Sequence, residues 1–425
     1  VPAANPAGPS RSMSTERTDA GASALPRVRR RHVVYAQGYD PRGLAEYYRL
    51  FRGEYRKFCA LYGLTGKVGK IVNPDDRFTT HWTLDTQGED AAGAPWRVDT
   101  TYEFLRWEDI IREDFARPAW WKTLHALGSL FNSLANGVYA RVFAAHWRFG
   151  LFTLYPFVIL LTNTLAAALV GGLAGGLLAL VAPSVVAWLI GLAVFAAAFV
   201  VIVRKTEPLS YMLYMFDDIV STHQFAYGQR PDWEKRFETF AGYLIEEVRA
   251  SDADEFVVVG HSSGSFIAVE VVARAFARDP EFARGKHLAL VTIGANLPII
   301  GFNPSADAFR ARLAALAAAA DLDWVDYQSR KDVMNFYPFE PIAGHGLKPG
   351  RNPAVVPVRF RDIIAPESYP RFRWRFFRVH FQFLMANERT GSAYDYFMIC
   401  CGPFRLGDRA RKPAAVVAQT GHPRP

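Results

Sequence analysis

The chain has 425 residues, 50% of them hydrophobic and 21% charged, with a formal net charge of +8. These values are ordinary for a folded core, but the apolar residues are bunched, and the charge suits either nucleic acid or an anionic membrane surface, so its position decides. Three cysteines, Cys59, Cys400 and Cys401, make neither a disulfide framework nor a C-x-x-C zinc spacing, which leaves a reducing compartment as the simple reading.

Residues 1–31 are rich in Ala, Pro, Ser and Arg, end in "RVRRR" and contain no apolar run for a signal peptide; they read as a disordered basic tail. Residues 32–118 begin the folded domain. There "RHVVYAQGYDPRG" predicts a strand from His32 to Gln37 closed by a glycine turn, and "LAEYYRLFRGEYRKFCALYG" predicts the helix after it. Over 119–147, Trp121, Leu124, Leu127, Phe131, Leu134 and Val138 recur at helical spacing. That pattern fits a helix lying among lipid headgroups and equally a helix facing a core.

Across 148–205 no charge occurs between Arg148 and Arg204. One crossing of a bilayer takes about 20 apolar residues, so the block holds two, at 151–172 and 181–203, with "GGLAGG" and Pro183 near the turn. The other reading is a buried hairpin of a soluble protein. Lys122, Arg141, Arg148, Arg204 and Lys205 flank the block, and Glu207 is the single acidic residue between Asp114 and Asp217. The positive-inside rule then puts both flanks in the cytoplasm, in an inner or plasma membrane. Residues 206–405 continue the folded domain, and 406–425 read as a second unstructured tail.

The chemistry centres on "VVVGHSSGSFIAVEVV". "EFVVVG" reads as a buried strand and "SGSFIAVEVVARAFARD" as a helix, so Ser262 sits at a strand-to-helix turn within Gly260-His261-Ser262-Ser263-Gly264. In G-x-S-x-G the serine is held in a strained conformation with its hydroxyl exposed, and its flanking glycines, Gly260 and Gly264, avoid collision. A nucleophilic serine needs a base, an acid that orients the base, and donors for the oxyanion. The backbone N–H groups of Tyr39 and Ser263 are the candidate donors. "LDWVDYQSRKDVMNFYPF" predicts a strand followed by a loop carrying Asp332; its rival Asp326 falls within the strand. His345, His380 and His422 are the possible bases. His345 follows Asp332 by only 13 residues and His422 lies in the tail, so His380 is preferred. His261 reads as a packing residue.

The order of strand, elbow serine, helix, strand, acid loop and late histidine resembles the α/β-hydrolase superfamily of serine esterases and lipases over residues 32–60 and 230–400. "VTIGANL" is similar to a lipase-like T-x-G-S strand end, with Ala295 in place of the serine. The resemblance implies an α/β fold, a doubly wound and mostly parallel sheet, interrupted here by a two-helix transmembrane hairpin. It also implies acyl transfer by Ser262, His380 and Asp332 through an acyl-enzyme, with membrane lipids and a hydrophobic acyl substrate as partners. The alternatives are a catalytically inactive membrane scaffold of the same fold, or a serine peptidase or thioesterase. No cofactor, metal or nucleic acid is expected. "YPRFRWRFFRV" alternates arginine with aromatic residues and reads as a strand, either at a sheet edge or against anionic headgroups.

Overall fold

The computed structural model describes residues 25–74 and 78–420. Its elements run β1 (Arg30–Ala36), α1 (Leu44–Tyr62), β2 (Thr65–Val68), β3 (Thr79–Glu89), β4 (Pro95–Leu105), α2 (Glu108–Phe115), α3 (Ala119–Ala135), α4 (Val138–Leu178), α5 (Ser184–Ser210), α6 (Met212–Ala226) and α7 (Pro231–Ala250). Then come β5 (Glu255–His261), α8 (Gly264–Arg278), β6 (Leu288–Ile293), α9 (Leu297–Gly301), α10 (Asp307–Ala318), β7 (Leu322–Gln328), β8 (Ala354–Pro357), α11 (Phe360–Ile363), α12 (Tyr369–Phe372), α13 (Phe376–Phe381), α14 (Tyr396–Cys401), α15 (Leu406–Arg411) and α16 (Pro413–Thr420).

The eight strands form one mostly parallel mixed sheet in the order β2-β3-β4-β1-β5-β6-β7-β8. From β4 through β1 to β8 every pair is parallel, while β3 runs antiparallel to both β2 and β4. Period-2 alternation divides the core between the two faces. Val34, Ala36, Val258 and Leu290 pack on one side under α7 and α8, and Val33, Tyr35, Val259 and Val291 on the other beside α1 and α14. The chain is therefore an α/β protein with helices on both faces. It steps from β1 to β4 on one side, then crosses back to β5 on the other, so the strand order reverses at β1. Open α/β sheets place ligand sites outside the carboxyl ends of the strands at such a reversal.

The block between β4 and β5 forms two helices, α4 and α5, each long and apolar enough to cross a membrane. Most of their side chains face outward; Leu177 is 67% and Leu189 61% exposed. The glycines lie near the turn, as expected, in the carboxyl-terminal part of α4. A Cβ on Gly171 would fall 2.6 Å from the Gly191 carbonyl, so these small residues let α4 and α5 approach backbone to backbone. The turn itself is 179–183, with Pro183 preceding α5.

Other expectations need correction. The basic tail does not extend to residue 31: Leu25 and Val28 are buried, and buried Arg31 pairs with Glu255 at 2.7 Å. An arginine that begins a strand looks like tail from sequence because its partner lies 224 residues away. Residues 406–420 are likewise not a loose tail but α15 and α16, held by buried Leu406 and Val416. Residues 1–24 and 421–425, which include His422, lie outside the described residues. The helix expected over 119–147 is two, because Gly137 takes a left-handed φ of 68° between α3 and α4, and His146 kinks the latter. The alternating Arg-aromatic segment is not a strand; it folds as α12 and α13.

Candidate active site

The strand-to-helix turn at β5–α8 shapes the site. Ser262 has φ 57°, one of two non-glycine residues with positive φ among those described, a conformation that costs energy and persists only where its surroundings enforce it. Here the enforcement is visible. Ser262 N–H donates to the Ile293 carbonyl at 3.0 Å and its own carbonyl accepts from Ser265 N–H at 2.9 Å. A Cβ on Gly260 would overlap the Gly264 carbonyl, and one on Gly264 would overlap the Ala36 carbonyl. Both elbow glycines are thus sterically required, and the turn wedges against the end of β1. The serine stands at the amino end of α8, where the helix dipole favours developing negative charge.

Asp332 and His380 meet, although 48 residues separate them: Asp332 Oδ2 lies 2.7 Å from His380 Nδ1, and both side chains are buried. The loop after β7 is fixed by Asn335, whose amide donates to the carbonyls of Ser329 and Asp332 at 2.9 and 2.7 Å. Met334 N–H occupies the second carboxylate oxygen at 2.9 Å. With Nδ1 engaged, His380 Nε2 is left buried with no partner among the described residues, and His380 lines the same cavity as Ser262. His261 packs its ring 4.5 Å from that of His380 and bonds to the His380 carbonyl at 3.2 Å. Burial, then the neighbouring His380, holds its pKa well below the ordinary histidine value, so it stays neutral packing.

The rivals sit elsewhere. Asp326 lies in β7, hydrogen-bonded by Thr292 and Gln328. His345 bonds to the Pro341 carbonyl at 2.6 Å and packs between Phe302 and Phe339.

Gly38 brings the β1 turn against the elbow: a Cβ there would lie 3.6 Å from Ser262 Cβ. Among the described residues neither Tyr39 nor Ser263 donates its backbone N–H to any acceptor, and both line the cavity. Tyr39 is held at two points. Its hydroxyl bonds to Asp114 at 2.8 Å and Ser221 at 3.0 Å, and its carbonyl accepts from Tyr214 at 2.5 Å. Arg230 anchors the same Asp114 at 2.9 Å. Asn296 donates to Ser263 Oγ at 3.1 Å. Tyr214, Asp114 and Asn296 carry no motif, and no local pattern in the sequence marks them.

The cavity encloses about 610 Å³, within the ~300–1,000 Å³ usual for ligand pockets. Its lining includes the turn after β1, the elbow, Tyr139, Phe149 and Phe152 of α4, and the α6 face. The arrangement can present a hydroxyl, an imidazole oriented by a carboxylate, and two N–H donors to one carbonyl. The described cluster with ligand-like spacing is His32, Glu103 and Glu247; His32 is engaged with Glu103 at 3.0 Å near the amino end of β1, opposite the cavity.

Fold and site together define an α/β protein whose cavity opens at the carboxyl ends of its central parallel strands, walled partly by the base of an apolar helical hairpin. No family model, curated protein or solved structure matches the chain.

Proposed function

We propose that the chain is a membrane-anchored serine hydrolase of α/β-hydrolase type that cleaves ester-like substrates, lipids included, through an acyl-enzyme. The observation that carries this reading is the strained Ser262 opening on the same cavity as His380, whose other nitrogen is held by Asp332 at 2.7 Å. Ser262 Oγ attacks the carbonyl carbon as His380 Nε2 takes its proton, and Asp332 steadies the imidazolium. The N–H groups of Tyr39 and Ser263 receive the oxyanion. Collapse expels the alcohol, protonated by His380, and leaves an acyl ester on Ser262. Water, deprotonated by His380, then attacks that ester and releases the acid. In the resting cavity Ser262 Oγ and His380 Nε2 are not joined by a hydrogen bond, and such contacts commonly tighten only with substrate in place.

Two features support the membrane part. The outward face of α3 is its apolar one, with Leu124 60% and Phe131 65% exposed, while polar Lys122 and Ser129 face inward. At the base of α4, Arg148, Lys331, Arg361 and Arg373 crowd together, and the three arginines depress the Lys331 pKa after burial does. Trp147 and exposed Trp374 lie among them. Such a basic and aromatic collar suits a cytoplasmic headgroup layer.

The deciding experiment is labelling with a fluorophosphonate in nanodiscs. Wild type should label and Ser262→Ala should not, at equal expression and extraction; equal labelling of both would refute the nucleophile. Profiling against esters, thioesters and peptides then fixes the leaving group.

A further inference from the structure

α6 turns Tyr214, Asp218 and Thr222 toward the cavity at four-residue spacing. Tyr214 touches the Tyr39 carbonyl, so this face begins at the oxyanion corner and Asp218 lies one turn along it, ~6 Å by helical rise. The other aspartates nearby have cations, and Glu207 is satisfied by the N–H groups of Leu213 and Tyr214. Asp40 pairs with Arg42, Asp114 with Arg117 and Arg230, and Asp217 with Lys122. Asp218 makes no ion pair or hydrogen bond among the described residues, and its Oδ1 is buried. Burial, and then Asp217, raises its pKa to about 7. The reaction outlined above does not use this carboxyl.

A carboxyl turned from water without a counter-ion either keeps its proton or takes up a cation that enters beside it. The cavity around it is lined by Tyr139, Phe149, Phe152, Tyr211 and Tyr214, and ring faces attract weakly hydrated cations. We propose that Asp218 and these rings receive a cationic nitrogen carried on the alcohol portion of an amphipathic ester. The inference rests on the hydrolase reading for the ester, but on the cavity alone for the cation.

The test compares lauroylcholine with its uncharged carbon isostere, 3,3-dimethylbutyl laurate, in nanodiscs. Wild type should favour the choline ester at least ~10-fold in kcat/KM, and Asp218→Asn should bring that ratio to about 1. A wild type that uses both alike, or a preference that survives Asp218→Asn, overturns the proposal. A second measurement needs no turnover: tetraethylammonium titrated by NMR into Ser262→Ala and into Ser262→Ala/Asp218→Asn. Binding to the first, weakened at least ~10-fold in the second, supports the cation site even if neither ester is cleaved, in which case the hydrolase reading alone has failed. Absence of binding to both counts against the cation site whatever the esters do.

Discussion

At the scale of single residues, the two histidines make different predictions because they are held differently. His380 offers a free Nε2 to the cavity while Asp332 holds its Nδ1. His380→Ala should lower kcat by about a thousandfold, since loss of a triad member leaves only oxyanion and binding contributions. His345→Ala should lower it less than about tenfold; the reverse ranking by steady-state kinetics would move the base to the glycine loop. His345 has another consequence. Burial, opposed by its bond to the Pro341 carbonyl and aided by Arg310, lowers its pKa to about 4. The unfolded chain, with an ordinary histidine pKa near 6.5, therefore binds the proton more readily. The stabilising contribution is whole above about pH 6.5 and disappears as pH falls through about 4. Denaturation midpoints measured at pH 7.5 and 4.5 should differ more in wild type than in His345→Asn. An equal difference would show that His345 already titrates normally in the fold.

At the scale of elements, α6 links the helical hairpin to the turn after β1. Glu207, the one acidic residue in its stretch, accepts from Leu213 N–H at 3.0 Å and so caps α6. Tyr211, at the junction, is the second non-glycine residue with positive φ, and it too lines the cavity. Tyr214→Phe removes the bond to the Tyr39 carbonyl and keeps the ring. With Tyr39 less firmly placed, kcat should fall about tenfold while KM changes little; a rise in KM at constant kcat would assign Tyr214 to ground-state binding instead. The elements that sequence periodicity conveyed well were those with one dominant environment, such as β5 and α8. The β3–β4 hairpin passed unnoticed, although "HWTLDTQ" alternates, because its polar outer face resembles loop composition. The Arg-aromatic segment misled for a related reason. Its period-2 pattern covers only 371–376, Pro370 suits the first turn of a helix, and two short helices satisfy its backbone locally.

At the scale of the molecule, β1 precedes the hairpin and β5 follows it, yet they pair directly in one sheet. If α4 and α5 cross, both flanks lie on one side. In a Cys59→Ser background, Arg56→Cys should react with an impermeant maleimide only from the cytoplasm, and Val181→Cys at the hairpin tip only from outside. Labelling of both from one side would mean that α4 and α5 do not span. If the hairpin spans, a site walled by its base would draw on substrate concentrated in the adjoining leaflet. Long-chain esters should accordingly exceed short soluble ones by at least ~10-fold in kcat/KM in nanodiscs, and a preference for short esters would remove the lipid substrate from the proposal.

From sequence alone came the hydrophobic block with room for two crossings, the strand-turn-helix around Ser262, and the order in which an acid and a histidine follow it. Each is local, set by runs of composition or by spacing within a few residues. What the tertiary structure decided was which distant groups meet. It joined Asp332 to His380 rather than His345 and buried Arg31 against Glu255. It also set Tyr39 under Tyr214 from across the hairpin and left Asp218 facing the cavity without a cation. Those outcomes depend on sheet order and on desolvation, which are properties of packing, and no local pattern of residues encodes them.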